Sequence, residues 1–298
     1  MLRAEGRPDF LKLYIGRIFR IIPLYVFLAG IVFAVVGVLT HWNLQVSPIE
    51  LLKEMVRWLS GGILPASDVN GHNNTFLISA GVTWSLQFEW FFYASLLVIA
   101  FFARNRLLGI LLPILGYVFV GVLKTALHLT SMDASAALMF FIGMIAASAK
   151  STEVLDRFQA PQWAMSSMII ILVAFVLFFS THVFGIASIT GLGLAFILVV
   201  TDGTIFGLLL TKGARRLGDI SYGIYLLQGP VLFVVFWPAV VRADALSSPW
   251  LHWIIVMIAA LLLVALATAT HVLIEIPGVQ AGRCFTSRIM NIRSLRQA

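Results

Sequence analysis

An all-α, polytopic transmembrane bundle is the fold class this sequence predicts, and three observations predict it. Sixty per cent of the 298 residues are hydrophobic, only 11% are charged, and the mean hydropathy is +0.99. A soluble domain carries about 25% charged residues, so this chain cannot cover a water-facing surface. Apolar windows of about 20 residues recur along its length. The basic residues also divide unevenly between alternate loops, as the positive-inside rule requires of a membrane protein.

Eight windows are candidate spans: residues 18–40, 84–102, 107–124, 134–149, 163–181, 186–201, 218–241 and 251–275. Numbering the loops alternately tests this count. Of the twenty Lys and Arg residues, only Lys53, Arg57, Lys124 and Arg242 fall on one side. The other sixteen share a side with both termini. Eight spans with both termini cytoplasmic satisfy the rule, and an odd number scrambles it. The net charge of +7 is accounted for by these loops and does not call for a nucleic acid partner. The lipid bilayer is the partner the composition demands. Cys284, the single cysteine, excludes an intramolecular disulfide. Five basic residues among the first 20, without a leader-length apolar core, argue against a signal peptide at Met1.

The whole chain, 1–298, reads as one integral-membrane domain, with 41–83 as an outer loop. Within that loop Ser47-Pro48-Ile49-Glu50 is a capping box with proline at the first helical position. Leu51, Leu52, Met55, Val56 and Leu59 follow as an apolar face, and Gly61-Gly62 ends the helix. A short amphipathic helix on the membrane, or capping the bundle, is expected. The chain has no internal repeat, P-loop or GxGxxG, and no HxxxH, HExxH or Cys/His grouping that would hold a metal.

Four constellations carry possible chemistry. The first places Arg17 and Arg20 at i, i+3 on one face at the cytoplasmic mouth of span one, with Pro23 following inside the helix. Two guanidinium groups there either anchor the helix to lipid phosphates or hold the phosphates of a soluble donor. The second is Trp84-Ser85-Leu86-Gln87-Phe88-Glu89-Trp90-Phe91-Phe92-Tyr93. Ser85, Glu89 and Tyr93 fall at i, i+4 and i+8, which sets a carboxylate between two hydroxyls at membrane depth. Such a group costs several kcal/mol unless it is paired or faces a wet cavity. It therefore either lines a working cavity or makes an interhelical packing bond.

The third is Gly218-Asp219-Ile220-Ser221-Tyr222-Gly223-Ile224-Tyr225-Leu226-Leu227-Gln228-Gly229-Pro230. Asp219 is expected to N-cap span seven, with Ser221, Tyr225 and Gln228 as a polar stripe and Gly229-Pro230 as a mid-membrane break. The alternative is a packing stripe in which Gly223 and Gly229 are points of close approach. The fourth is His271 with Glu275, i, i+4 near the end of span eight, read as an ion pair closing the helix or as a proton-handling pair.

In their order along the chain these segments resemble the acyltransferase family 3 membrane proteins, which acylate sugars of lipopolysaccharide O-antigen, exopolysaccharide, Nod factors and macrolides. The matching residues are Arg17 to Tyr25, then Trp84-Ser85-Leu86 with Glu89, Phe92 and Tyr93, then Leu217 to Leu226, and Glu275-Ile276-Pro277. The resemblance implies an O-acyltransferase of the bacterial cytoplasmic (inner) membrane, with acetyl-CoA as co-substrate rather than bound cofactor and a carbohydrate hydroxyl as acceptor. It implies Glu89, Ser85 and Tyr93 as catalytic residues and Arg17 and Arg20 as donor-binding residues. Trp84, Ser221, Tyr222, Tyr225 and Gln228 would line the substrate cavity.

The family's first two helices, the first of which carries its histidine, have no counterpart here, and Gln228 stands where a histidine is common. That leads to the expectation of in-frame coding sequence upstream of Met1, or of a homo-oligomeric or other partner supplying the missing helices. The competing function class is a non-catalytic polytopic protein, transporter-like or a degenerate acyltransferase. Acetyl-CoA-dependent labelling of an acceptor separates the two.

Overall fold

The computed structural model describes residues 10–102, 105–127, 132–151, 160–180, 182 and 184–295. Within them the chain is helical, with α1 (Phe10–Leu39), α2 (Pro48–Leu59), α3 (Trp84–Phe102), α4 (Arg106–Ala126), α5 (Met132–Ser151) and α6 (Gln162–Phe179) followed by α7 (Ile186–Val200), α8 (Lys212–Asp219), α9 (Ser221–Phe236), α10 (Ala239–Ser247), α11 (Pro249–Thr270) and α12 (Ile276–Leu295). Seven of the eight expected apolar windows each fall largely on one helical run, while 218–241 takes in the end of α8, all of α9 and the start of α10. Five helical runs are long and apolar enough to cross a membrane, or up to six if the bent α8–α9 pair is one span. Large apolar side chains face outward, among them Val122 at 62% exposed and Leu177 at 74%. No soluble protein leaves such a surface to water. The chain is an integral membrane protein.

The helices pack as two units. One comprises Phe92–Arg216, in which α4 packs on α5, α5 on α7, and α6 on α7. Its core is Leu138, Ile142 and Ile189. Polar bonds inside it join one helix to another. Lys124 Nζ donates to Ser135 Oγ at 3.0 Å, and the Tyr117 and Thr190 hydroxyls meet at 2.7 Å.

The other unit is built from both ends of the chain, Asp9–Phe91 and Leu217–Ala298. Here α1 packs against α9 and α12, and α9 against α11. Pro23 lies inside α1 and cannot donate to the Phe19 carbonyl four residues back. Gly278 of α12 lies against that freed oxygen, so closely that a Cβ at Gly278 would come within 2.8 Å of it.

Residues 40–83 fold around α2. Ser47 Oγ accepts the Glu50 backbone N–H at 3.2 Å with Pro48 at the first turn, which is the N-cap bond of the expected capping box. The side of α2 that packs inward carries Trp58 and Glu54. Trp58 is fully buried, donating Nε1–H to the Ser67 carbonyl at 2.8 Å, and Glu54 accepts the Asn70 N–H at 2.9 Å. Of the expected apolar face, Leu52, Val56 and Leu59 point outward with Ile49. The loop's Ser67 carbonyl and Asn70 N–H need α2's indole donor and carboxylate acceptor, which turns that side of the helix inward.

Two further expectations are corrected. Asp219 does not cap α9: it is the last residue of α8, and the chain bends by 69° between α8 and α9, where Ile220 is fully buried. Burying that apolar corner fixes the bend. Gly229-Pro230 does not break its helix, since α9 runs unbroken to Phe236 with both residues buried. Surrounding protein holds a proline-bearing helix together. The stretch after residue 275 is helical. A π-turn, His271–Glu275, leads straight into α12. Pro277 has no N–H to donate, and the one-residue widening places it in the first turn of the new helix, where none is needed.

Candidate functional site

The polar residues singled out from the sequence gather in the unit formed by the two chain ends. Tyr222, on the first turn of α9, is their centre. Its hydroxyl donates to the Ile21 carbonyl of α1 at 3.0 Å. The side chains of Glu89, Glu275, Tyr25 and Arg20 all lie near enough to act on it electrostatically. Two carboxylates, two phenols and a guanidinium thus converge from α1, α3, α9 and the π-turn. In an otherwise apolar bundle, such groups are confined to pairs and cavities.

Glycines let the elements approach. A Cβ at Gly223 would meet Ala267 of α11 at 3.3 Å and Glu275 Oε1 at 3.2 Å. At Gly229 it would collide with the backbone of Ser79 and Ala80. The reading of Gly223 and Gly229 as points of close approach is therefore the one the packing supports. Gly61 and Gly62 take φ of 71° and 80°, the left-handed region open to glycine. Their turn ties α1 to α3: the Gly61 carbonyl accepts Trp90 Nε1–H at 2.9 Å, and the Gly62 backbone hydrogen-bonds the hydroxyl of the buried Tyr25.

Ser85 and Tyr225 come together, their hydroxyls 2.6 Å apart, and the Tyr225 hydroxyl donates to the Val82 carbonyl at 2.6 Å. The pair fastens the start of α3 to α9 and so sets the position of Glu89 one turn on. Trp84 stacks edge-on with Phe88 at 5.7 Å and is half-buried, as is Gln228. Arg17 is half-buried and Arg20 exposed, one turn before Pro23.

Ser221 is not gathered in. It is exposed, and its hydroxyl donates to the Gly218 carbonyl at 2.8 Å. Tyr93 is buried beside Phe92 within the other unit. A cavity of about 300 Å³ in that unit is lined by Phe92, Leu112, Pro113, Phe141 and Met144 and offers almost no polar atom for chemistry.

His271 and Glu275 form a bonded pair, Nδ1 to Oε2 at 3.1 Å, with Glu275 only 5% exposed. Glu275 Oε1 is buried with no hydrogen-bond partner among the described residues. Sequence spacing revealed the pair but not its nearness to Tyr222. The parts played by Tyr25 and Trp90 were also missed, because an aromatic in an apolar helix looks like core.

An all-helical membrane protein with a buried polar cluster is the setting of a membrane-embedded enzyme or carrier, and comparison decides the class. A family model described as an acyltransferase domain matches residues 1–269. The chain belongs to acyltransferase family 3, a family of membrane acyltransferases. No curated protein and no solved structure matches it. His271, Glu275 and the Glu-x-Pro segment lie just beyond the matched residues.

Proposed function

We propose that this protein transfers an acyl group, acetyl in the simplest case, from acyl-CoA to a hydroxyl of a cell-surface or exported carbohydrate at the bacterial cytoplasmic membrane. The observation that carries the reading is the convergence of Glu89, Glu275, Tyr25 and Arg20 on Tyr222, in a chain of an acyltransferase family. Acyl transfer needs a base for the acceptor hydroxyl and donors for the oxyanion formed at the carbonyl. Carboxylates and phenols in a water-poor bundle supply both kinds of group.

In this reading Arg17 and Arg20, within two turns before Pro23, hold the phosphates of the donor through guanidinium forks. Glu89 orients or activates the acceptor hydroxyl. Ser85 and Tyr225 position Glu89 by fastening α3 to α9, while Trp84, Tyr222 and Gln228 border the acceptor. Tyr93 and Ser221 are supporting residues of α3 and of the α8–α9 corner.

The test is acetyl-CoA-dependent labelling of surface glycan by the full-length protein in membranes. Arg17→Ala with Arg20→Ala is expected to raise the apparent KM for acetyl-CoA about tenfold or more, with a smaller effect on kcat. An unchanged KM would assign both arginines to lipid anchoring. Flux of glycan into vesicles without acetyl-CoA would instead favour a carrier.

A further inference from the structure

The cavity of about 300 Å³ in the Phe92–Arg216 unit lies between the second half of α3, the first half of α4 and the second half of α5. There α4 packs closely on α5, whereas among the described residues α3 makes no comparable contact with either. Two rings bound the space at mid-helix depth. Phe92 stacks on Phe140 with centroids 4.7 Å apart, and Phe141 lies so close over Gly116 that a Cβ there would collide with its ring. Gly143, also on the wall, keeps the space open, since a Cβ there would meet nothing within 4 Å. Ile99, Leu108 and Ser148 line the end nearest the α3–α4 connection.

The walls are finished for an apolar occupant. Pro113 has no N–H to donate to the Gly109 carbonyl four residues back, and a freed carbonyl on the wall would draw in water. Ser148 Oγ–H donates to that oxygen at 2.6 Å instead. Among the described lining residues, Ser148 alone has a hydroxyl, amide or charged side chain. A cavity lined in this way stays dry and accepts hydrocarbon, and left empty it forfeits the dispersion contacts of its walls.

The surroundings say where the hydrocarbon comes from. Val98, on the cavity wall, is 60% exposed, and Leu111 and Leu115 continue the same outward apolar surface along α4. The cavity is thus continuous with the face this membrane protein turns to lipid. In the sequence Arg104 precedes α4 and Arg106 opens it, so the chain is basic at the end toward Leu108 and Ser148. Basic residues at a membrane boundary favour anionic lipid head groups.

We propose that this cavity binds one fatty-acyl chain of an anionic bilayer phospholipid, wedged between α3, α4 and α5, with the head group at the arginine-bearing end. The chain supplies the packing that α3 does not find on α4 and α5. Binding is non-covalent, and the inference stands independently of the acyltransferase reading.

The probe is phosphatidylglycerol with a photoactivatable diazirine midway along one acyl chain, added to the full-length protein in phosphatidylcholine vesicles. Label is expected to concentrate on residues 92–99, 108–113 and 141–148, above its level on α6 and α11, and to be removed by excess unlabelled phosphatidylglycerol. Gly143→Leu fills the open space and gains helix propensity, and it is expected to lose this label. Gly121→Leu is the control: a Cβ there also meets nothing within 4 Å, but Gly121 does not line the cavity, and the label is expected to stay. Label spread evenly over the outward-facing helices, or undiminished in Gly143→Leu, would overturn the site. Equal labelling by a phosphatidylcholine probe of the same chain would overturn the preference for an anionic head group. Displacement by palmitoyl-CoA and not by phosphatidylglycerol would overturn a bilayer lipid as the occupant. The wild-type label map and its competition decide the matter alone where Gly143→Leu fails to insert.

Discussion

Replacing Gly229 by alanine separates a tightly packed helix from a broken one, and Gly16→Ala is its control. Both glycines lie within helices, α9 and α1. Alanine is favoured over glycine in a helix interior by about 1 kcal/mol. At Gly16 the new methyl meets nothing within 4 Å, so the full gain is available. At Gly229 it runs into the carbonyl carbon and oxygen of Ser79 and the nitrogen of Ala80. These are backbone atoms of a turn whose Ala80 is already held at φ 51°, so no side chain can swing aside. Overpacking of this kind costs about 1–3 kcal/mol and occasionally more. The net expectation is a loss of up to about 2 kcal/mol for Gly229→Ala and a gain of up to ~1 kcal/mol for Gly16→Ala. The difference, about 1–3 kcal/mol, corresponds to a gap of roughly 2 °C or more in thermal unfolding for a chain of this size. The assay is thermal unfolding of both purified variants in one detergent. Equal stability, or a Gly229→Ala protein more stable than Gly16→Ala, would refute the close approach of α9 to the Ser79–Ala80 turn.

Two other outcomes follow from the same structure and sequence. Ser85→Ala and Tyr225→Phe each remove one hydroxyl from the Val82 knot, and each is expected to cost about 0.5–1.5 kcal/mol in thermal unfolding while lowering kcat only modestly; complete inactivation by Ser85→Ala would make its hydroxyl a reacting group. Reporter fusions after Arg106, Arg157, Arg216 and Ala298 are expected to read cytoplasm, and those at Asp68, Asp133 and Asp244 the outer compartment, because sixteen of the twenty basic residues share one side. Arg157 and Ala298 lie outside the described residues, and an outer-side reading at Ala298 would defeat the eight-span topology.

The positions of the helices were legible because lipid imposes one rule, about 20 apolar residues per crossing, and the apolar windows obey it. The capping signal at Ser47 and Glu50 was legible because it is local. What could not be read was set by contacts between distant segments. Trp58 and Glu54 turn inward because Ser67 and Asn70, nine and sixteen residues away, need partners. Gly229-Pro230 looks like a break until Ser79 and Ala80 are seen against it. Asp219 looks like a cap until Ile220 is seen to be buried. For the site, Glu89 and Tyr222 stood out as polar groups in apolar helices, and the structure brings them together. Ser221 stood out equally and is exposed, since helical spacing names a face without saying what it meets. Glu275 was visible only as half of a pair at a helix end, and its nearness to Tyr222 depends on the π-turn and on Gly223.

The most direct test of the central claim, that the cluster around Tyr222 is an acyl-transfer site, is acetyl transfer by Glu89→Gln. The substitution keeps shape and removes charge, so insertion and detergent stability should stay close to wild type. Transfer of labelled acetyl groups from acetyl-CoA to the surface glycan is expected to fall by at least about 10²-fold. Wild-type turnover by Glu89→Gln, in protein that is correctly inserted, would contradict the account and leave Glu89 a packing acid.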